Sequence, residues 1–372
     1  MALVGRAVVL DKANGTFVIE EAPVPEVHPG GMILRQEMCG VCGTDAHLYR
    51  GHLPYLRYPL VMGHECVGIV ERLGSQVKAD VTGRPVKEGD RVYVIPGIRC
   101  GSCYYCAVLL QPNLCLNAGG FGFRPYADQP IHFQGGYADY LWLKEGQAFV
   151  RVDVDPQTVC ALEPLSIGVH VVSQVHFQPG DTAVIQGAGA VGLLTMAIAR
   201  ESGASKLIVV GAPASRLELA EEFGADVTIN LEEIRSPEER VELVRKETVG
   251  GYGADVVFEC TGVPAALAEG IEMTRRGGTY IVAGHFTDAG TVPINPFGHL
   301  NRKNITLRGV WSSEKTHFVR ARAVVESGKH PFAKVISHVL PLTRVADAIQ
   351  AMSGGYRLDG REVRKIGIAA QL

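Results

Sequence analysis

Cys42, His64 and Glu163 are residues of metal-ligating type set far apart in the chain. They lie in the segments Cys42-Gly43-Thr44-Asp45, Gly63-His64-Glu65 and Glu163-Pro164. A catalytic zinc needs three protein ligands and one open position, and mixed thiolate, imidazole and carboxylate donors meet that need. Thr44 and His47 follow Cys42 closely, so a hydroxyl and an imidazole stand near such a metal. An alcohol on zinc would lose its proton more easily, as zinc-bound water does. Thr44 could accept that proton and pass it towards His47, which titrates near neutral pH. The deprotonated alcohol is then a hydride donor. Taken singly, His64 would more often be a hydrogen-bonded structural histidine, Glu65 and Glu163 solvated or paired, and Cys42 a small buried apolar group. Cys39 stays in that last class. The combination carries the weight.

A second set is local. Cys100, Cys103, Cys106 and Cys115 place four thiols within one short loop. Zinc takes four such ligands tetrahedrally and closes its shell, and its binding would supply folding energy to a loop without a core. The competing readings are unrelated cysteines, a redox C-x-x-C pair, or a nucleic-acid-binding zinc ribbon. No basic patch accompanies the loop to favour the ribbon. Nine cysteines is an odd number, and five of them sit at C-x-x-C spacing. That favours metal or redox chemistry in a reducing compartment over a disulfide scaffold.

A third signal is Gly187-Ala188-Gly189-Ala190-Val191-Gly192, a G-x-G-x-x-G turn between the apolar run Ala183 to Ile185 and a helical stretch. In that context the glycines allow a tight turn, close approach to a pyrophosphate and helix–strand packing. The acidic residue expected about 20 positions later is missing; the second strand ends Val209-Val210-Gly211-Ala212-Pro213. With Gly211 there is no carboxylate to repel a 2′-phosphate. Ser215 and Arg216 just beyond could contact one, or be ordinary solvated helix residues. NAD and NADP both stay open, with a lean to NADP.

The elements that must position these groups fall into two patterns. The first 160 residues read as mostly β. Leu3 to Leu10 and Thr16 to Glu21 flank an Asn14-Gly15 hairpin signal, and Met32 to Met38, Cys66 to Leu73 and Arg91 to Ile95 are further strands. From about residue 180 strands alternate with helices. The strands are Ala183 to Ile185, Leu207 to Val210, Val227 to Asn230, Asp255 to Glu259 and Thr279 to Ala283, and the helices include Val191 to Ser202 and Ser215 to Phe223. This alternation predicts a parallel, doubly wound sheet. A helix (Lys315 to Ser327), a strand (Val335 to Leu340), a helix (Thr343 to Met352) and a last strand near Arg364 to Ile368 follow.

The whole-chain figures set limits. The chain has 372 residues, 47% of them hydrophobic and 20% charged, which suits two ordinary domains. A formal net charge of −3 gives no electrostatic footprint for nucleic acid or an anionic membrane. Met1 to Leu10 lacks the basic start and cleavage site of a signal peptide. The uncharged span Thr182 to Ala199 parses as strand, turn and helix rather than a membrane helix. The expected location is the cytoplasm.

Together these residues resemble the zinc-containing medium-chain dehydrogenase/reductase (alcohol dehydrogenase) family over essentially the whole chain. The resemblance implies an α/β protein, a GroES-like β catalytic domain plus a Rossmann doubly wound parallel sheet. The expected domains are residues 1–164 with a four-cysteine lobe at about 96–118, 165–311 for the cofactor, and 312–372 returning to the catalytic domain. The family pattern C-G-[ST]-D-x-H is met by Cys42, Gly43, Thr44, Asp45 and His47. It implies that Cys42 is a zinc ligand and that Thr44 and His47 form a proton relay. G-H-E is met at Gly63-His64-Glu65, making His64 a ligand and Glu65 a supporting or alternate one. The third ligand falls at Glu163, as in the polyol (sorbitol)/threonine dehydrogenase-like branch. Cys260, Thr261 and Gly284 match segments that line the cofactor, and Arg364 falls where a basic residue meets the pyrophosphate. Two zinc ions per chain are implied, one catalytic and one structural, with NAD or NADP. The implied reaction is reversible hydride transfer between a secondary alcohol or polyol and the nicotinamide, in a homodimer or homotetramer. The alternatives are an aldehyde- or formaldehyde-oxidising relative and a non-catalytic cofactor-binding member. Two departures stand out: the last lobe cysteine comes one residue later than usual, and Gly211 replaces the acid. The segment 117–134 has no assigned counterpart, and shapes either the pocket or a subunit contact.

Overall fold

The computed structural model describes residues 3–53, 56–123 and 133–372. The chain divides into two compact units, Met1–Glu163 with Ser313–Leu372, and Pro164–Ser312.

In the first unit, Val4–Leu10 and Phe17–Pro23 pair antiparallel from Val4 opposite Pro23 to Leu10 opposite Phe17, and Leu60–Val61 adds to the other edge. Asn14 in the turn has φ of 53°, a conformation that asparagine tolerates. The larger sheet runs Phe149–Arg151, Arg91–Val94, Glu65–Leu73, Met32–Val41, Ile366–Ile368, His338–Leu340, with Tyr140–Leu143 also pairing to Met32–Val41. Met32–Val41 is the central strand and is buried along nearly its whole length. Its end is fixed on both sides, because Gly40 lies opposite Glu65 on one neighbour and opposite Gly367 on the other. Val9, Ile33, Val61 and Ala138 pack in the core beneath.

The return segment differs locally from expectation. The strand expected from Val335 begins at His338, because Phe332–Val335 winds as a 3-10 turn that buries Phe332 and Val335. The following helix spans Val345–Ser353 after a second 3-10 turn, Leu342–Arg344. Two helices that carry site residues have no clear sequence signal: Gly43–Tyr49, holding Thr44 and His47, and Leu162–Val172, holding Glu163 in its first turn.

In the second unit six strands are parallel, in the order Val227–Asn230, Lys206–Gly211, Thr182–Gln186, Ala254–Glu259, Thr274–Val282, Thr306–Gly309. Numbered along the chain this is 3-2-1-4-5-6, the Rossmann order, whose direction reverses beside the first strand. Val184, Ile208, Val257 and Tyr280 form the core. The Thr182 to Ala199 span divides into the strand Thr182–Gln186 and part of the helix Ala190–Glu201. Among the described residues no helix is long and apolar enough to cross a membrane.

One buried carboxylate ties the return segment to residues 1–163 of the first unit. Asp80 Oδ2 accepts from Arg322 Nη1 (2.8 Å), on the helix Lys315–Glu326, and from the Arg151 N–H (3.0 Å). Its Oδ1 accepts from Thr82 and Arg84. Burial alone would raise the Asp80 carboxyl, but the hydroxyl of Thr82 and the N–H groups of Arg151, Thr82 and Arg84 outweigh it and hold it below the usual range. Asp80→Ala is expected to cost about 3 kcal/mol in denaturant unfolding, the cost of leaving a buried partner unpaired. A carboxyl depressed in the folded state stabilises above its unfolded pKa. This contribution is therefore expected to fade as pH falls below about 4, and Asp80→Asn to lose that part of the acid dependence.

Candidate active site

Cys42 ends the central strand's run and caps the short helix Gly43–Tyr49. Asp45 stabilises that corner: its buried Oδ2 accepts from the Cys42 N–H and from the Tyr137 hydroxyl, each at 2.9 Å. His64 arrives from the neighbouring strand's start. Gly63 before it has φ of +93°. The backbone therefore turns there, and His64 and Glu65 avoid the strict alternation of strand side chains. The ligand atoms of Cys42, His64 and Glu65 converge within 4.8 Å of one another.

The pocket fits a cation. It presents sulfur, nitrogen and oxygen donors suited to zinc. His64 Nδ1 and Asp45 Oδ1 are buried without hydrogen-bond partners, 3.5 Å apart, and a carboxylate beside the ring is what orients a metal-binding histidine. Burial opposes a charged His64, yet Asp45 and Cys42 outweigh it and hold the imidazole well above its usual pKa. The surroundings therefore favour positive charge.

Other expected residues fall around this cluster. Thr44 Oγ1 lies 3.5 Å from Cys42 Sγ. Thr44 and His47 are three apart on one helix and so share a face. His47 Nδ1 is 3.0 Å from His52 Nδ1, and burial, then His52 and Arg50, lower its pKa. Glu163, expected as the third ligand, stands outside the 4.8 Å group, which holds Glu65 instead. The start of its helix is fixed by the Tyr93 hydroxyl, which accepts the Glu163 N–H at 3.2 Å. Burial and the charge of Glu65, against His64 and Lys365, push Glu163 up to about 7. Of segment 117–134, residues 124–132 lie outside the described residues. Phe123 packs its ring 5.0 Å from that of His64.

In the lobe, Cys100, Cys103, Cys106 and Cys115 also gather within 4.8 Å. Cys115 Sγ is 3.5 Å from Cys100 Sγ and 4.0 Å from Cys103 Sγ. A tetrahedron with metal–sulfur bonds of about 2.3 Å has edges of about 3.8 Å, so one ion fits. All four thiols are free, not disulfide-bonded. The N–H groups of Ser102 and Cys103 pull the Cys100 thiol down to about 5, towards the thiolate that binds metal.

The glycine turn sits at the end of Thr182–Gln186. Gly187 has φ of +108°, and a Cβ at Gly192 would lie 1.9 Å from the Gly187 carbonyl oxygen. Gly189 caps the helix Ala190–Glu201, with Ala190 and Val191 in its first turn. Gly211 ends the next strand, and a Cβ there would lie 2.7 Å from Ala188 Cβ and 2.8 Å from Ala188 N. Ser215 and Arg216 begin the helix Ala214–Glu222. Across the sheet, Cys260 Sγ is 3.8 Å from Thr195 Oγ1, and burial with Glu259 pushes its thiol up to about 12. Glu259, fully buried, accepts from the Thr261 N–H and hydroxyl, the Gly262 N–H and the Gly284 N–H at 2.6–3.0 Å. Arg364 donates its N–H to Ser337 Oγ (3.0 Å), at the start of the return strand.

Sequence reasoning missed Asp45 as a support, Tyr137, Phe123, Lys365 and Glu259. Asp45 lies inside the C-G-T-D segment and Lys365 follows Arg364, so both were within reach. Nothing local marks Phe123 or Tyr137.

Residues 28–153 match the alcohol dehydrogenase GroES-like domain, and residues 190–327 match the zinc-binding dehydrogenase family. 5-exo-Hydroxycamphor dehydrogenase from Pseudomonas putida is 33% identical over 343 residues, covering 90% of this chain and 92% of that one. D-xylulose reductase A from Aspergillus niger is 30% identical over 341 residues, 90% of each. The crystal structure of an alcohol dehydrogenase from Thermotoga maritima superposes with a TM-score of 0.91 at 34% identity, over 99% of both chains. The chain belongs to the zinc-containing medium-chain dehydrogenase/reductase (alcohol dehydrogenase) family and is a zinc-dependent, NAD(P)-linked oxidoreductase acting on CH–OH groups.

Proposed function

We propose that this enzyme interconverts a secondary alcohol or polyol and its ketone, with NADP used at least as well as NAD. The observation that carries the site assignment is the convergence of Cys42, His64 and Glu65 in a buried pocket that favours positive charge. Zinc bound there would polarise the substrate oxygen, and the nicotinamide would take or return the hydride. The chain's own part is to place and protonate. Thr44 holds the substrate hydroxyl proton beside Cys42 and passes it to His47. The lowered pKa of His47, from its partial burial and from His52 and Arg50, favours its giving that proton up. Phe123 walls the pocket against His64 and limits water. Glu163 supports the cluster as a near-neutral carboxyl that can share a proton. Cys100, Cys103, Cys106 and Cys115 hold the structural ion. Gly187 to Gly192, Cys260, Thr261 and Gly284 receive the dinucleotide.

The relatives support the substrate class. One is named for a hydroxylated camphor and another for xylulose, two unlike carbon frames joined by C–OH/C=O chemistry. The lean to NADP rests on Gly211, which brings no carboxylate, and on Ser215 and Arg216 beyond it. We also read the protein as a homodimer or homotetramer acting in the cytoplasm. The edge strand Thr306–Gly309 is exposed throughout, with Trp311 exposed beside it, a pairing surface for a second copy.

Three measurements test this reading. Across a panel of secondary alcohols and polyols, nicotinamide reduction is expected with one class, at kcat/KM with NADP equal to or above that with NAD. Oxidation of aldehydes alone would favour the aldehyde-oxidising alternative, and cofactor binding without zinc or turnover the non-catalytic one. Metal analysis is expected to give two zinc ions per chain and one in Cys42→Ser. That variant keeps its fold but loses activity by more than about 100-fold, beyond the loss of a supporting partner; Cys103→Ser instead loses the lobe ion and thermal stability. Gly211→Asp is expected to cost about 1–3 kcal/mol, because its Cβ meets Ala188, and to weaken both cofactors. A clean switch to NAD without loss of stability would refute that packing argument.

A further inference from the structure

Three strands lie side by side where the candidate metal centre forms: Glu65–Leu73, Met32–Val41 and Ile366–Ile368. Neighbouring strands are about 4.8 Å apart, so the outer two are about 9.6 Å apart, and only long side chains that cross directly over the middle strand can meet, as Glu65 and Lys365, just before Ile366–Ile368, would have to. Here they do. A Cβ on Gly40 of the middle strand would lie 2.0 Å from Glu65 Oε2 and 3.0 Å from Lys365 Cε. Glycine leaves a gap, and Lys365 Nζ passes through it to within 2.8 Å of Glu65 Oε1 and 2.5 Å of Oε2, with the Val41 carbonyl at 3.4 Å. The lysine side chain is 4% exposed and the glutamate 0%.

An ammonium on Glu65 competes with a metal for the same carboxylate, so it does not serve metal affinity. It serves charge balance. Asp45 and Glu65 are fully buried beside the half-buried Cys42, and unpaired charge there is costly. We propose that Lys365 is a positioning residue of the metal centre, whose ammonium keeps the pocket folded when no metal is present and restrains Glu65 when one is. The site is thereby stable with or without its ion, and a ligand position is kept open. The inference rests on the reading of Cys42, His64 and Glu65 as that centre.

The test places Lys365→Met and Lys365→Arg in two backgrounds. One is the zinc-loaded wild type. The other is Cys42→Ser, where the candidate centre stays empty of metal and the lobe cysteines are intact. In Cys42→Ser, Lys365→Met is expected to lower Tm on the order of 6–12 °C, and in the zinc-loaded chain by less than half as much. Lys365→Arg is expected to keep most of the stability. Adding Glu65→Gln to Lys365→Met in Cys42→Ser removes the unpaired charge and is expected to recover Tm, which carries the test if the simpler variant does not fold. In the otherwise wild-type chain, a zinc competition assay is expected to show about tenfold tighter binding for Lys365→Met, since the competing cation is gone. Equal Tm losses in both backgrounds, no recovery with Glu65→Gln, or weaker zinc binding would mean that the lysine acts by packing, and would overturn the inference. A zinc content unchanged by Cys42→Ser would overturn the metal-centre reading itself, and this inference with it.

Discussion

Acidic groups crowded into a largely buried cluster impose the constraint on which the first unit depends. Asp45 and Glu65 are fully buried, and Glu163 is close enough for the charge of Glu65 to raise its pKa. Carboxylates removed from water cost several kcal/mol each unless paired or hydrogen-bonded. Asp45 is met by the Cys42 N–H and by Tyr137. Glu65 is met by Lys365, which lies 300 residues away in sequence. That cation comes from the segment by which the chain returns to its first unit after Ser313. The return strand covers the open edge of Met32–Val41 and delivers the lysine in the same step. Arg322, brought by the same segment to Asp80, repeats the arrangement elsewhere in the unit.

The lobe solves a different problem. Its helix, Tyr104–Ala107, has four residues, none of them buried, and Leu110 and Leu116 are 75% and 72% exposed. No apolar core can fix such a loop. Four thiols drawn within one ion's reach do so instead, with backbone N–H groups already turned to the sulfurs. Coordination replaces burial as the source of folding energy.

What was legible in the sequence follows from the distance over which each feature acts. The glycine turn, the C-x-x-C spacings and the strand–helix alternation are local. The parallel sheet could therefore be read before its order was seen. The short helix Gly43–Tyr49 carries little periodicity, and the 3-10 turn at Phe332–Val335 has the apolar content of a strand, so both were missed. The place of Glu65 was harder still. Consecutive strand residues face opposite ways, which argues against His64 and Glu65 sharing a metal, until the positive φ of Gly63 moves His64 out of the strand. Lys365 and Phe123 depend on register and packing between segments far apart in the chain, which no local pattern records.

Two buried glutamates show how the halves of the protein differ. Glu65 is balanced by a side chain, and Glu259 by three backbone N–H groups and a hydroxyl. Backbone donors are fixed by the sheet and by the Thr261, Gly262 and Gly284 loops, so the charge of Glu259 locks those loops in one shape. If these loops receive the dinucleotide, as proposed, a fixed shape suits repeated recognition. A lysine has a long stem, and its ammonium is one partner among several for a carboxylate. Its bond to Glu65 can be exchanged where that of Glu259 cannot. On the proposed reading, the rigid acid lies where recognition is needed, and the lysine-paired one where an ion would enter.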